Sequence, residues 1–350
     1  MRFSTTHEPL KNVLISRCHK LAIQGFKLCI QRRVLISDKI GQKQIELEQS
    51  SPTCPAHSVM VSVSHVGTVP QSSLRFERQF LKRAKSVSDA VLEFSGHDVR
   101  SVLQGQTTKN FQTLSLNVAI DGAFCDLKGR VIADFTAVMT SDDRALLRTN
   151  AGVAQSLQTH LGKYLMFSKT TLTLLSWNCW GCSHSSPPIG SDDLIVVPRS
   201  PSLYEVWCDI TCAPDHVITQ DSWRYQRLLR GEARICEATM HQFLPQDLNY
   251  DLQGIIDFDK GCYTGQEIIA RLHYRGSPKR RLSIISIPGS ITPSINDKVV
   301  DADTSKTVGS IVEVTQTDTG WLGLSEVVVD ARERSLQVND VGVLIQALQP

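Results

Sequence analysis

Lys260-Gly261-Cys262-Tyr263-Thr264-Gly265-Gln266-Glu267 is the stretch that decides how the rest of the chain is read. Two glycines bracket a cysteine and an aromatic, and the chain then runs into Gln266-Glu267-Ile268-Ile269-Ala270-Arg271. That pattern predicts a tight turn feeding a helix. Gly261 and Gly265 permit backbone conformations or close approaches that a side chain would forbid. A helix start brings free N–H groups and the positive dipole end toward Cys262, which favours its thiolate. Lys260 would push the same way. A free cysteine in such a turn also serves as a small core hydrophobe, and spacing alone leaves both roles open.

Working outward, Val91-Leu92-Glu93-Phe94 reads as a short strand closed by Gly96, and Asp98 as the cap of a helix running to Gln104. Ala123–Cys125 and Val131–Met139 read as strands joined by the turn Asp126-Leu127-Lys128-Gly129, with a third strand at Arg144–Thr149. Ala151–Tyr164 carries helical spacing through Val153, Leu157, Leu161 and Leu165. Thr170–Leu175 is strand-like, Trp177–Asp193 irregular with a Pro187-Pro188 break, and Trp223–Arg234 helical. After Arg281 come short alternating segments, Leu282–Ile287, Thr307–Val314, Gly320–Val328 and Val341–Leu348, which predict a small β-barrel. Mixed elements with hairpin-length connections favour an α+β fold.

Over 350 residues the hydrophobic share is 41% and the charged share 21%, ordinary values for a globular protein. The net charge of +2 is local. Arg2, Lys11, Arg17, Lys20, Lys27, Arg32, Arg33, Lys39 and Lys43 face only Glu8 and Asp38. Residues 1–75 therefore read as a basic, poorly ordered extension outside the fold, with a mitochondrial presequence as the other reading. Residues 76–278 and 279–350 read as the α+β region and the barrel domain. No stretch approaches the roughly 18 apolar residues of a membrane span. The ten cysteines show no repeating framework and read as mostly reduced thiols in a cytosol-like compartment.

Lys260 to Glu267 resembles the KGCYTGQE signature of the YgfZ family, relatives of the glycine-cleavage T-protein, and matches at all eight positions. Leu103-Gln104-Gly105-Gln106 resembles the family's LQGQ motif, and Cys125-Asp126 with Lys128-Gly129 its C-D-x-K-G turn. Lys163-Tyr164 with Phe167-Ser168-Lys169, Phe243-Leu244-Pro245-Gln246, and Arg275-Gly276 with Lys279-Arg280 resemble further blocks, in order. The resemblance implies a T-protein-like folate-binding fold around a central channel, then a C-terminal β-barrel. It also implies a tetrahydrofolate cofactor and iron–sulfur client proteins, tRNA-modifying ones among them, served by a monomeric, cytoplasmic accessory factor. On this reading Cys262 is the essential thiol with Lys260 beside it. Trp223 offers the pterin a flat face, or else packs in the core. Glu267 accepts from the pterin edge, or else forms only a surface pair. Gln104 and Lys128 are further ligand-side residues. Two positions depart from the pattern: Ser88-Asp89-Ala90-Val91 lacks the family's second folate-side tryptophan, and Ala233 stands where proline is expected.

Three other readings compete. Cys179-Trp180-Gly181-Cys182, with His184, Cys208 and Cys212, has thiol spacing that zinc uses, but it does not open a helix as redox CxxC motifs do. An aminomethyltransferase needs a carboxylate to steer a proton at folate, for which Asp126 and Asp134 are candidates. Arg275, Lys279, Arg280 and Arg281 form a short basic run that reads as a solvated edge rather than a nucleic-acid surface.

Overall fold

The computed structural model describes residues 89–186, 194–212 and 214–348. The basic extension, Cys18, Cys29, Cys54 and the Pro187-Pro188 break lie outside the described residues, all of which belong to one compact unit, Arg75–Pro350.

The first sheet is antiparallel and five-stranded. It contains β1 (Asp89–Ser95), β2 (Ala119–Cys125), β3 (Val131–Ser141), β4 (Arg144–Asn150) and β5 (Thr171–Leu174), in the order β2-β3-β4-β1-β5. Helix α1 (Val99–Gln106) follows β1, and α2 (Ala151–Leu165) follows β4. Period-two alternation sends Leu92, Phe94, Phe135, Ala137 and Leu147 to one face, where they form the main core. Val91, Val138 and Leu146 point to the other face and pack against Cys179, Val197 and Trp207 of a second sheet. That sheet holds β6 (Trp177–Ser183), β7 (Leu194–Ser200) and β8 (Leu203–Asp209), ordered β6-β8-β7. The α+β class is as expected, but Trp177–Ser183, read as irregular, is a strand buried through Cys179–Cys182.

Two local readings need correction. Asp98 sits at the cap of α1 without capping it; its carboxylate accepts the Lys169 N–H instead, at 2.7 Å. Helix α3 (Gln220–Leu229) stops before Arg234, because Gly231 takes a left-handed φ of 70° and turns the chain back. Leu228 enters the core from the helix, and Ala233 and Ile235 enter it from the segment after Gly231.

Helix α4 (Gln266–Arg275) follows the signature turn. The C-terminal part closes into a six-stranded barrel, ordered β10-β11-β12-β9-β14-β13. Its strands are β9 (Arg280–Pro288), β10 (Lys298–Asp301), β11 (Thr307–Thr317), β12 (Gly320–Val328), β13 (Leu336–Val338) and β14 (Val341–Ala347). The barrel has its own core of Ile285, Val299, Ile311 and Val338, among others, while Leu282, Val312, Leu322 and Leu324 complete the main core.

Candidate functional site

Three of the sequence motifs converge. The signature turn lies on the C-terminal end of α1: the Thr264 N–H donates to Gly105 O at 3.1 Å, and its hydroxyl to Gln106 Oε1 at 3.2 Å. It also lies on the β2–β3 turn. A methyl at Gly265 would fall on the Asp126 carbonyl oxygen and come 3.0 Å from Gly129 Cα, and the φ of 85° there already favours glycine. Gly261 is different. Its φ is outside the left-handed range, and a methyl would meet only Gln104 Nε2, at 3.8 Å.

Lys260 is 7% exposed, and its ammonium donates to three carbonyls, Gln104 O (2.7 Å), Thr107 O (2.6 Å) and Lys109 O (2.7 Å). It also lies over the Tyr263 ring at 4.9 Å. Burial pushes its pKa down to about 8, with Asp257 opposing and Lys109 reinforcing. The lysine expected to activate Cys262 thus anchors the turn to α1. Cys262 is exposed, three residues before the Gly265 cap of α4. Gln104 works as a brace: its Oε1 accepts the Phe111 N–H at 2.8 Å. Lys128 is exposed on the β2–β3 turn, and Glu267 is exposed in the first turn of α4. Five of the six residues singled out in the sequence therefore lie on the signature segment or on the two elements it touches.

Trp223 lies elsewhere. It is 3% exposed, and a Cβ on Gly181 would come 2.5–2.9 Å from its indole ring. Gly181 pairs with Glu205 of β8, on the face of the second sheet that meets the first. The tryptophan packs against this face of β6 because residue 181 has no side chain.

Beside it is a charged network that sequence reasoning missed. Glu205, 1% exposed, accepts from Arg148 Nε (2.8 Å), Trp207 Nε1 (2.9 Å), Arg199 Nη2 (3.0 Å) and Arg234 Nη2 (3.2 Å). Arg199 also holds Asp121 at 2.8 Å, Arg234 holds Asp89, and Arg148 reaches Asp134 at 3.4 Å. Burial pushes the Glu205 carboxyl up, but the three guanidiniums outweigh it and hold it far below the carboxylate range. For Asp134 burial prevails, and its pKa is raised despite Arg148 and Arg234. The available sequence signal was Asp134 and Arg148, charged residues inside stretches read as strands.

The CxxC cysteines point to opposite faces of β6: Cys179 packs between the sheets, and Cys182 packs with Cys208 on the outer face. Among the described residues, no group of three His, Cys, Asp or Glu side chains is disposed to hold a metal. No described helix is long and apolar enough to cross a membrane.

No protein-family model matches the chain. The chain is 28% identical over 271 residues to an uncharacterised protein of Haemophilus influenzae, covering 74% of this chain and 94% of that one. It is 28% identical over 234 residues to the tRNA-modifying protein YgfZ of Vibrio atlanticus, covering 61% and 72%. It is 30% identical over 217 residues to a mitochondrial iron-sulfur cluster assembly factor IBA57 homolog of Pyricularia oryzae, covering 56% of this chain and 54% of the relative. In three dimensions it resembles the glycine cleavage system aminomethyltransferase T of Bartonella henselae, with a TM-score of 0.59 at 14% identity, covering 74% of this chain and 83% of that one. The last likeness bears on fold alone. Relatives and fold point the same way: the chain is similar in sequence to YgfZ and IBA57 proteins and has the T-protein fold.

Proposed function

We propose that this protein is a tetrahydrofolate-binding factor that supports iron–sulfur cluster assembly or repair in client enzymes, tRNA-modifying ones among them. The observation that carries the reading is the exposed Cys262 on a turn whose every neighbour is fixed. Lys260 ties the turn to α1, Thr264 adds two hydrogen bonds, and Gly265 lets it lie against Asp126–Gly129. Such rigidity presents a thiol to a macromolecular client rather than enclosing it around a small substrate. The names of the YgfZ and IBA57 relatives favour the same kind of client.

The inter-sheet space has the chemistry a pterin requires. Trp223 brings an aromatic ring beside Gly181, and Glu205 of β8, Arg148 of β4 and Arg234 bring acceptors and donors together from three separate elements. Asp121, whose side chain is 44% exposed, marks the open edge of this network. When bound, tetrahydrofolate supplies a ring nitrogen able to carry a one-carbon unit; the protein's part is to orient the pterin and keep water away. Glu267, Gln104 and Lys128 stand with the thiol rather than with Trp223, and we assign them to the surface that meets the client. Asp89, bound to Arg234, occupies the stretch where the family's second tryptophan is expected.

Two experiments separate the two halves of the reading. Calorimetric titration with tetrahydrofolate should show saturable binding that weakens in Trp223→Ala; no binding by the unmodified protein refutes the cofactor assignment. Cys262→Ala should abolish support of iron–sulfur enzymes in cells while leaving tetrahydrofolate binding intact; full client activity in those cells refutes the thiol's role. The fold also favours a second reading, an aminomethyltransferase, which would show methylene-tetrahydrofolate formation from an aminomethyl donor.

A further inference from the structure

A concavity of about 430 Å³ opens beside the β2–β3 turn. Lys128 and Arg130 enter it from that turn, His160 and Lys163 from α2, and His241 from the turn after Glu237–Thr239. We propose that it is a binding site for a phosphate dianion, the terminal group of a phosphomonoester.

The charge balance carries the proposal. Lys128, Arg130 and Lys163 face one carboxylate, Asp126, which leaves two fixed positive charges. Asp126 is already engaged. It accepts from His241 Nδ1 at 2.9 Å and from the backbone N–H groups of Lys128 (2.8 Å) and Arg130 (3.0 Å). Elsewhere in the fold many arginines pair with acids, as Arg148, Arg199, Arg227, Arg234, Arg280 and Arg281 do, although Arg271, Arg275 and Arg332 do not among the described residues. Here none of the three cations pairs with a described acid; Arg130 donates to the Gln242 carbonyl, and Lys163 lies 4.9 Å from the Tyr164 ring centroid. His160, half-buried among them, is held below its ordinary pKa by burial, Lys163 and His241, against the opposing pull of Asp126. The pocket is thus a place where positive charge is gathered from three elements and only partly offset, by Asp126 in its lining and by Asp247, which Arg130 acts on electrostatically. A phosphomonoester carries about −1.5 to −2 charges at neutral pH, with three acceptor oxygens for the donors that line the pocket. This reading does not rest on tetrahydrofolate binding.

The test titrates the full chain with inorganic phosphate while following the histidine ring resonances. Saturable shifts of His160 and His241 are expected, together with a rise in the His160 pKa, because a bound anion favours the imidazolium. Lys163→Gln and Lys128→Gln, both at exposed positions, should each weaken binding about tenfold, the loss expected for one charge-assisted hydrogen bond. Glycerol 1-phosphate should compete, and an RNA oligonucleotide without a terminal phosphate should not. Shifts that grow without saturation, or an affinity in both lysine variants unchanged from the unmodified protein, would mean an adventitious ion only and would overturn the proposal. Displacement of phosphate by that RNA would overturn the preference for a terminal phosphate. Displacement by tetrahydrofolate would overturn the pocket as a separate site.

Discussion

Replacing Gly265 with alanine should loosen the signature turn more than any other single methyl added to it. Two costs add. The residue keeps a φ of 85°, a region that costs an L-residue about 1 kcal/mol. The methyl would also fall on the Asp126 carbonyl and come 3.0 Å from Gly129 Cα and 3.2 Å from Cys125 Cβ. These neighbours are a backbone turn and a buried side chain, so relief requires the two turns to part, a typical overpacking cost of about 1–3 kcal/mol. The sum is about 2–4 kcal/mol, or a fall in Tm of roughly 3–7 °C for a chain of this size. Scanning calorimetry would read it against two controls. Gly254→Ala shares the strained φ (67°) but meets open space, so it should lose only the first part, about 1 kcal/mol. Gly261→Ala, with one contact at 3.8 Å, should stay within about 0.5 kcal/mol of the unmodified protein. If Gly265→Ala melts no lower than Gly254→Ala, the turns are not in the contact described and the argument fails.

Three further outcomes are expected. Glu205→Gln should destabilise the protein by about 3–5 kcal/mol, because three buried guanidiniums lose their shared partner. Since the folded Glu205 carboxyl is depressed, its stabilisation is present above its unfolded pKa of about 4.5 and is lost as pH falls below it. Asp134, raised by burial, acts in the opposite sense in both proteins, so urea titrations from pH 6 to 3 should show a shallower acid loss in the variant; parallel curves would contradict the network. Iodoacetamide at pH 8 should label Cys262 and Cys212, which are exposed, well before Cys182 and Cys208, whose pKa values burial pushes up to about 12. Equal labelling by mass spectrometry would show that the second sheet opens readily. Lys260→Met should cost several kcal/mol by leaving three carbonyls without their donor, and a variant as stable as the unmodified protein would remove the anchor role.

The strands were legible where apolar residues alternate and a turn residue closes them, as at Val91–Gly96 and Ala123–Gly129. The barrel followed from repeated short segments. The signature turn announced a helix start, and α4 begins at Gln266. Other features depend on non-local geometry that no spacing encodes. Helical composition runs past Arg230, but the left-handed Gly231 ends α3 and delivers Arg234 to Asp89 and Glu205, far away in sequence. The pattern around Cys179–Cys182 reads as a metal or redox motif, yet its informative residue is Gly181, whose missing side chain admits Trp223. Lys260 beside Cys262 suggested activation; only the fold reveals three carbonyls waiting for its ammonium.

The sharing of one core between the α+β region and the barrel bears on how the chain is made. Leu282, Val312, Leu322 and Leu324 finish a hydrophobic interior begun near residue 92, and Glu313 closes a buried ion pair on Arg227 at 2.5 Å. A ribosome releases these residues after the α+β region. Until they emerge, the nascent α+β region carries an open apolar wall and an unmatched guanidinium, so it waits incomplete, a natural client for trigger-type chaperones. Premature stop codons anywhere in the barrel should therefore yield protein that is degraded rather than a working shorter form.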